Sequence, residues 1–321
     1  MPNKLTLLDK LIPAYSFRAR SKALENELRL KKSGLMTTNE IAAQKQNLIN
    51  AYGSARTVPP AIRMGASDLA SFLRDKRYKN LAEAGHSNGA EENDARYRYS
   101  SRVYGYPELQ QAEKYGYVPL EDTPAASMNY LDKVKFRHPA SSYGDVVLHL
   151  KPEVRERSTM NPFDSDRQWG SPTYRAMSAY GSLYPIPYDV DDPEEFIGDF
   201  LEPPTSMEEE AIADNLREPA FLSHRREAVR GRNQRILDLL NAQDPSEYVE
   251  AHIHGDISPE DIESIEFDPQ TAASSMELDR LLGSDDFFPD DYAAVQNLIY
   301  DRAASYNIKF YMPEEYRRRR K

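Results

Sequence analysis

Apolar and polar positions alternate most sharply in two stretches. In Tyr143–Lys151, Val146, Leu148 and Leu150 fall on one side, and Val147, His149 and Lys151 on the other. A turn precedes this stretch and Pro152 follows, which predicts a strand with one core face and one mixed face. In Tyr248–Gly255, Val249, Ala251 and Ile253 oppose Tyr248, Glu250, His252 and His254. That pattern predicts a strand with a dry back and a polar front, because successive side chains leave a strand on opposite faces. Gly255 then turns the chain. Ser258-Pro259-Glu260-Asp261 reads as a short capped helix, and Ile265 and Phe267 open a further strand.

Helical periodicity dominates the ends of the chain. Leu24 and Leu28 share a face of a first helix that Ser33-Gly34 stops. Thr37-x-x-Glu40 has capping-box spacing and starts a second helix carrying Ile41, Leu48 and Ile49 and ending near Gly53. From Val58 to about Arg77 the pattern reads as a linker and a helix, with Ser67 capping Leu69, Phe72 and Leu73. Asp290-Asp291 begins a last helix with Val295, Leu298, Ile299 and Ala303, after which Ile308-Lys309-Phe310-Tyr311 closes the core. The expected architecture is α+β, a mixed or antiparallel sheet domain over 56–315 preceded by a basic helical hairpin over 1–55. Residues 316–321 form a basic tail.

Composition narrows the chemistry. The 321 residues include no cysteine, which excludes disulfides, thiolate metal sites and a thiol nucleophile. Twenty-two prolines and 21 tyrosines point to long, aromatic-pinned connections rather than a repeat. The net charge of −11 conceals an asymmetry. Residues 1–80 carry 15 Lys and Arg against 6 Asp and Glu, and the remainder 26 against 46. The basic segment is expected to dock on the acidic body, or else on an anionic partner. The most acidic stretch, from 189 to 218 within a proline-rich insertion over 185–220, reads as a solvated loop or lid. The charged start, broken by Pro13, does not make a secretion signal, and no apolar run reaches membrane-spanning length. A cytoplasmic location, in the producing cell or in a host, is the expectation, with association to a virion as the other.

Candidate chemistry concentrates on the polar front of Tyr248–Gly255, which offers three readings. His252-x-His254 with Glu250 or Asp256 has donors suited to zinc or iron in a metal-dependent hydrolase, but lacks a third ligand. Glu250 can instead act as a catalytic carboxylate with His252 and Tyr248 positioning it. The third reading is structural, the histidines satisfying loop carbonyls on an exposed sheet face. Elsewhere, Gly85-His86-Ser87-Asn88-Gly89 matches a nucleophile-elbow string, but no buried strand precedes it, so it reads as a loop. Arg155-Glu156-Arg157-Ser158-Thr159 reads as a polar turn leaving a core strand.

Several motifs carry resemblances. The run from Leu24 to Ile49, with Gly34-Leu35-Met36-Thr37 and Glu40-Ile41, resembles the SHOCT helical hairpin, which implies docking or self-association. An ordered set resembles a bacterial and phage-associated family of unknown function: Arg77-Tyr78-Lys79-Asn80, Glu83-x-Gly85-x-Ser87-x-Gly89, Tyr115-Gly116-Tyr117, Tyr143-Gly144-Asp145-Val146, Leu150-Lys151-Pro152-x-Val154-x-x-Arg157-Ser158-Thr159, Asp164-Ser165 and Tyr248-Val249-Glu250-Ala251-x-Ile253-His254-Gly255. That family is expected to carry Thr at positions 84 and 86 and Gln at 252. More broadly the order is similar to mono-ADP-ribosyltransferase toxins and effectors. The likeness implies that NAD is the substrate and that Glu250 is the catalytic carboxylate, with His252 beside it and Ser158 and Thr159 as supporting hydroxyls. It further implies that Arg77, Tyr115, Tyr117 and Tyr248 contact the dinucleotide, with Lys114 standing where an arginine would suit the pattern. The expected function is an effector or toxin domain, active or degenerate, with an unidentified protein or nucleic-acid target. The alternative is a non-catalytic phage- or virion-associated structural or interaction protein. No metal site is assigned.

Overall fold

The chain adopts an α+β fold in a computed structural model, which describes residues 15–79, 113–120, 144, 146–162, 186–188, 190, 192–201, 203–204, 206–214, 218–241, 248–267 and 292–311. Helices α1 (Tyr15–Ser33) and α2 (Thr38–Ala55) form the N-terminal hairpin, followed by β1 (Ala61–Met64) and α3 (Ala66–Asp75). Strands β2 (Glu113–Tyr117) and β3 (Val146–Leu150) come next, then a 3-10 turn over Pro152–Arg157, β4 (Ser158–Asn161) and β5 (Ile186–Pro187). Helices α4 (Glu194–Ile197), α5 (Ser206–Asp214) and α6 (Pro219–Leu240) lead to β6 (Glu250–His254) and β7 (Ile262–Glu266). Helix α7 (Tyr292–Ser305) and β8 (Lys309–Tyr311) complete the described elements.

The eight strands form one mixed sheet in the order β5-β4-β6-β2-β1-β3-β7-β8. Neighbours pair antiparallel, except β7 and β8, which run parallel. Valines and leucines supply β3, and every residue of β3 and of β6 is buried. The sheet is therefore enclosed on both sides at its centre rather than open to water on one.

One side carries the hydrocarbon, in two clusters. Ile62, Met64, Val146, Leu148, Leu150, Ile253, Ile262 and Ile265 pack with Leu69, Phe72 and Leu73 of α3 and Ile299 and Ala303 of α7. Met160, Ile186, Val249 and Ala251 pack instead with the hairpin, through Leu30, Ile41, Leu48 and Tyr52, and with Val229, Ile236 and Leu239 of α6. Tyr52 secures this second cluster by donating its hydroxyl to the carbonyl of Pro187.

Caps behave locally as the sequence dictates, with one displacement. Thr37 Oγ1 accepts from the Glu40 amide at 3.2 Å, and the Glu40 carboxylate accepts from the Thr37 amide at 2.7 Å. Ser258 and Asp261 make the equivalent box before β7. Helix α3 starts at Ala66 rather than after Ser67, with Gly65 as the cap and Asp68 accepting its amide hydrogen at 3.3 Å.

Two expectations need correction, and the structure gives a direction that the periodicity left open. Leu24 and Leu28 do share a face of α1, but it faces outward, 59% and 47% exposed. Ala19, Ala23 and Leu30 are buried in their place. The contact is close because small residues meet there: a methyl group added to Gly198 would lie 2.8 Å from the carbonyl oxygen of Ala23.

The acidic stretch is not simply a solvated loop. Its described part folds as α4, a 3-10 turn and α5, and buries Phe196, Ile197, Phe200, Leu201 and Ile212 in the hairpin's cluster. Apolar residues spaced at helical intervals inside the acidic run outweigh its charge. The charges settle against the basic hairpin, Arg20 on Glu195 and Arg29 on Glu209 at 2.9 Å each, with Lys45 at 3.8 Å from Glu194. Such exposed pairs contribute about 0–1 kcal/mol each, so the apolar contact holds the segment and the charges orient it. Glu208, 9% exposed, receives Arg225 at 3.2 Å and Arg232 at 3.0 Å and ties α5 to α6.

The segment after Arg157 is the second correction, because Ser158-Thr159 begins β4 and does not lie in a turn. Thr159 and Met160 are a β-branched and an apolar residue that pack well on a pleated surface.

Candidate functional site

Strand β6 lies between β4 and β2, and its register fixes what its polar front meets. On one side Asn161 stands opposite Glu250 and Thr159 opposite His252. On the other, Tyr117 stands opposite Glu250 and Tyr115 opposite His252. Directly opposed residues share a sheet face with Cβ atoms about 5 Å apart, so these six side chains form one cluster.

At its centre His252 Nε2 lies 2.8 Å from Glu250 Oε2, with the two residues 0% and 1% exposed. The contact is tautomer-dependent: the imidazole donates to the carboxylate when its hydrogen is on Nε2. The Tyr115 ring packs against His252 at a tilt, centroids 5.0 Å apart and planes at 58°. Tyr248, two residues before Glu250 on the same face, is buried in a small cluster with Ala61, Tyr117 and Val147. His254 continues the face and is fully buried.

Not every expected site residue joins this cluster. Ser158 stands opposite Ile253, on the apolar side, and its hydroxyl donates to the Val154 carbonyl at 2.8 Å. Its work is to close the 3-10 turn. Lys114 is likewise paired with Ile253 and fully buried on the side away from Glu250. Both displacements follow from strand alternation: Ser158 and Lys114 each adjoin in sequence a residue that does face Glu250.

Arg77 lies elsewhere. It is exposed, 3.8 Å from Asp256 and next to Tyr78, whose amide donates to the Ile257 carbonyl at 2.8 Å. These contacts fall beyond the far end of β6, and the strand from Glu250 to His254 alone spans about 14 Å.

Arg157, the first member of the Arg-Ser-Thr motif, also has a structural task. Its guanidinium donates to the carbonyls of His254 at 2.9 Å and Asp256 at 2.7 Å and pairs with Asp261 at 3.1 Å. It thereby clamps the turn at Gly255, whose φ of +87° is a conformation that side-chain-bearing residues rarely adopt.

Two residues of this face escaped the sequence reading. Asn161 is fully buried opposite Glu250, and neither its Oδ1 nor its Nδ2 has a hydrogen-bond partner. The signal was available: on a strand, Asn161 must share the face of Thr159. Arg63 sits on β1 with its guanidinium carbon 5.6 Å from the centre of the Tyr117 ring, donating to the Gly144 carbonyl at 3.4 Å. Its Nε is buried without a partner. It was missed because β1 spans only four residues and reads as linker.

Among the described residues no group of three or more His, Asp and Glu is placed to hold a metal. No helix among them is long and apolar enough to cross a membrane. The Gly85–Gly89 string, Asp164-Ser165, the Asp290-Asp291 helix start and the basic tail lie outside the described residues. No protein-family model matches the chain, and no curated protein matches it.

Proposed function

We propose that the protein is an ADP-ribosyltransferase-like effector or toxin domain that transfers ADP-ribose from NAD, with Glu250 as its catalytic carboxylate. The observation that carries this reading is the buried Glu250, gripped by His252 at 2.8 Å on a sheet face shared with Thr159, Tyr115 and Tyr117.

The chemistry needs little else. The bond between the ribose C1′ and the nicotinamide nitrogen breaks with its electron pair leaving on nicotinamide, which neutralises the pyridinium. Positive charge grows on C1′, and a fixed carboxylate in a poorly solvated setting stabilises it more in the transition state than before it. The target's nucleophile then closes the bond to C1′ and releases its proton. His252 occupies the position where the resembled family is expected to carry Gln, and its Nε2–H supplies the carboxylate with the kind of hydrogen bond an amide would give. Thr159 is the supporting hydroxyl on this face. Arg63, with a buried unpartnered Nε, is a better placed cation for the anionic dinucleotide than Arg77. A cytoplasmic site of action, in the producing cell or a host, accords with this role.

Labelled NAD incubated with the protein and a cell lysate tests the reading. Transfer or hydrolysis is expected, reduced about 10²–10³-fold in Glu250→Gln, the scale on which a single electrostatic stabiliser acts. No turnover by the wild type, with Glu250→Gln indistinguishable from it, refutes the proposal.

A second reading rests on α1. Phe17, Leu24 and Leu28 lie along one stripe at intervals of seven and four and are 73%, 59% and 47% exposed. Such a stripe favours a non-catalytic interaction protein, virion-associated or self-associating through the hairpin, in which the buried Glu250–His252 pair merely holds the sheet.

A further inference from the structure

Asn161 poses a physical problem that the proposed chemistry leaves unanswered. A buried side-chain amide almost always has hydrogen-bond partners, because leaving it without them costs the chain the amide's hydration. Asn161 is 0% exposed and has none on either polar atom. It stands directly opposite Glu250 across the β4–β6 pairing, with Thr159 two residues earlier on the same face. The group therefore presents one donor edge and one acceptor edge beside the carboxylate.

We infer that Asn161 reads the primary amide of a ligand, and specifically the carboxamide of the nicotinamide group of NAD. Nδ2–H donates to the ligand's carbonyl oxygen while Oδ1 accepts from its amino group, the antiparallel pairing that two primary amides make with each other. This rests on the transferase reading and extends it by assigning leaving-group recognition to a residue outside the motifs that suggested the reaction. The placement has a chemical purpose, because holding the carboxamide fixes the ring and thereby sets the adjoining glycosidic bond against Glu250. An acid in place of the amide, as in nicotinic acid, would set a carboxylate oxygen, itself an acceptor, against Oδ1. The site is thus built to reject it.

Titration calorimetry with nicotinamide and with nicotinic acid tests the assignment on the full chain, using wild type, Asn161→Leu and Asn161→Asp. Wild type is expected to prefer nicotinamide by about tenfold or more, the ratio that one or two neutral hydrogen bonds sustain. Asn161→Leu, with the same number of side-chain heavy atoms, is expected to lose that preference. Asn161→Asp, which keeps the acceptor and loses the donor, is expected to bind nicotinamide more weakly than wild type.

Stability provides an independent readout. If both amide atoms lack partners in the free protein, Asn161→Leu melts at or above the wild-type temperature. A melting temperature several degrees lower means that the amide is already engaged in the free protein, and this overturns the inference. So does wild-type protein that binds neither compound or does not distinguish them, and so does Asn161→Leu binding nicotinamide as wild type does. Parallel NAD-consumption assays separate the two claims. Turnover with unchanged nicotinamide binding in Asn161→Leu removes the Asn161 assignment and leaves the transferase. Asn161-dependent nicotinamide binding without turnover removes the transferase and leaves the amide recognition.

Discussion

Replacing His252 with leucine gives the sharpest test of how the centre of the sheet is held. Glu250 and His252 are 1% and 0% exposed and meet at 2.8 Å, so water does not screen the contact. Removing the imidazole withdraws a hydrogen bond from a buried carboxylate. Breaking buried pairs in this way costs about 3–5 kcal/mol. Glu250→Leu withdraws one hydrogen-bond partner from the buried imidazole, and losing such a partner costs about 1–3 kcal/mol. The double replacement removes both polar groups and should cost less than the sum of the singles, by about 2 kcal/mol or more, because apolar side chains of similar volume often substitute for a buried pair. His252→Gln, which retains a donor, should stay within about 1 kcal/mol of wild type, the net worth of one ordinary hydrogen bond. Urea unfolding at neutral pH, followed by circular dichroism and tyrosine fluorescence, measures all four. Additivity of the two leucine variants to within about 0.5 kcal/mol would show that the residues are energetically independent, and the reasoning would fail.

Three further outcomes follow from single groups. Gly116→Ala places a methyl group 2.5 Å from the Ala61 carbonyl oxygen, which forces β1 and β2 apart beneath Tyr115 and Tyr117. A loss of about 1–3 kcal/mol is expected in thermal unfolding, and an unchanged melting temperature contradicts it. Glu40 is held at about 2 by the Thr37 amide first, then by the Thr37 hydroxyl and Arg230. Its folded value lies below the ordinary 4.5, so its contribution is complete above 4.5 and lost as pH falls from there toward 2. Glu40→Gln should flatten that part of the acid limb in urea midpoints taken between pH 5 and 2, and parallel limbs would refute the linkage. Burial, then the neighbouring Tyr52, raises the Tyr188 phenol well above 10, and its hydroxyl has no partner. The unfolded phenol ionises while the folded one keeps its proton, so stability falls as pH rises past 10. Tyr188→Phe should gain about 1 kcal/mol at neutral pH and lose that alkaline decline, and a destabilised variant would count against an unpartnered hydroxyl.

Where function is concerned, the most legible feature was β6. Its alternation placed Glu250, His252 and His254 together, and the structure keeps them so, with the Tyr248 ring on the same side. Alternation is a property of one strand and needs no partner to be read. The capping boxes at Thr37 and Ser258 were legible for the same reason, since each is closed by a residue three positions away. Helix α6 buries Val229, Asn233, Ile236 and Leu239 at helical intervals. That periodicity was present in the sequence but weak among arginines.

What a strand meets on either side was not legible. Ser158 and Thr159 are adjacent and both hydroxylic, and the pairing of β4 with β6 alone decides that Thr159 faces His252 while Ser158 turns to the core. Asn161 acquires interest only when Glu250 is found opposite it, and Arg63 only when Tyr117 is found beneath its guanidinium. Leu24 and Leu28 showed their common face but not its direction, because the choice between inside and outside was made by the fit of Ala23 against Gly198 on a distant segment. The sequence by itself determined the elements whose signals repeat within a few residues: the hairpin, its caps and the polar front of β6. Register, and with it the membership of the Glu250 cluster, was decided only by tertiary structure, because opposing residues lie as much as 141 positions apart, as Glu113 and His254 do, and a slip of one residue reverses every side chain.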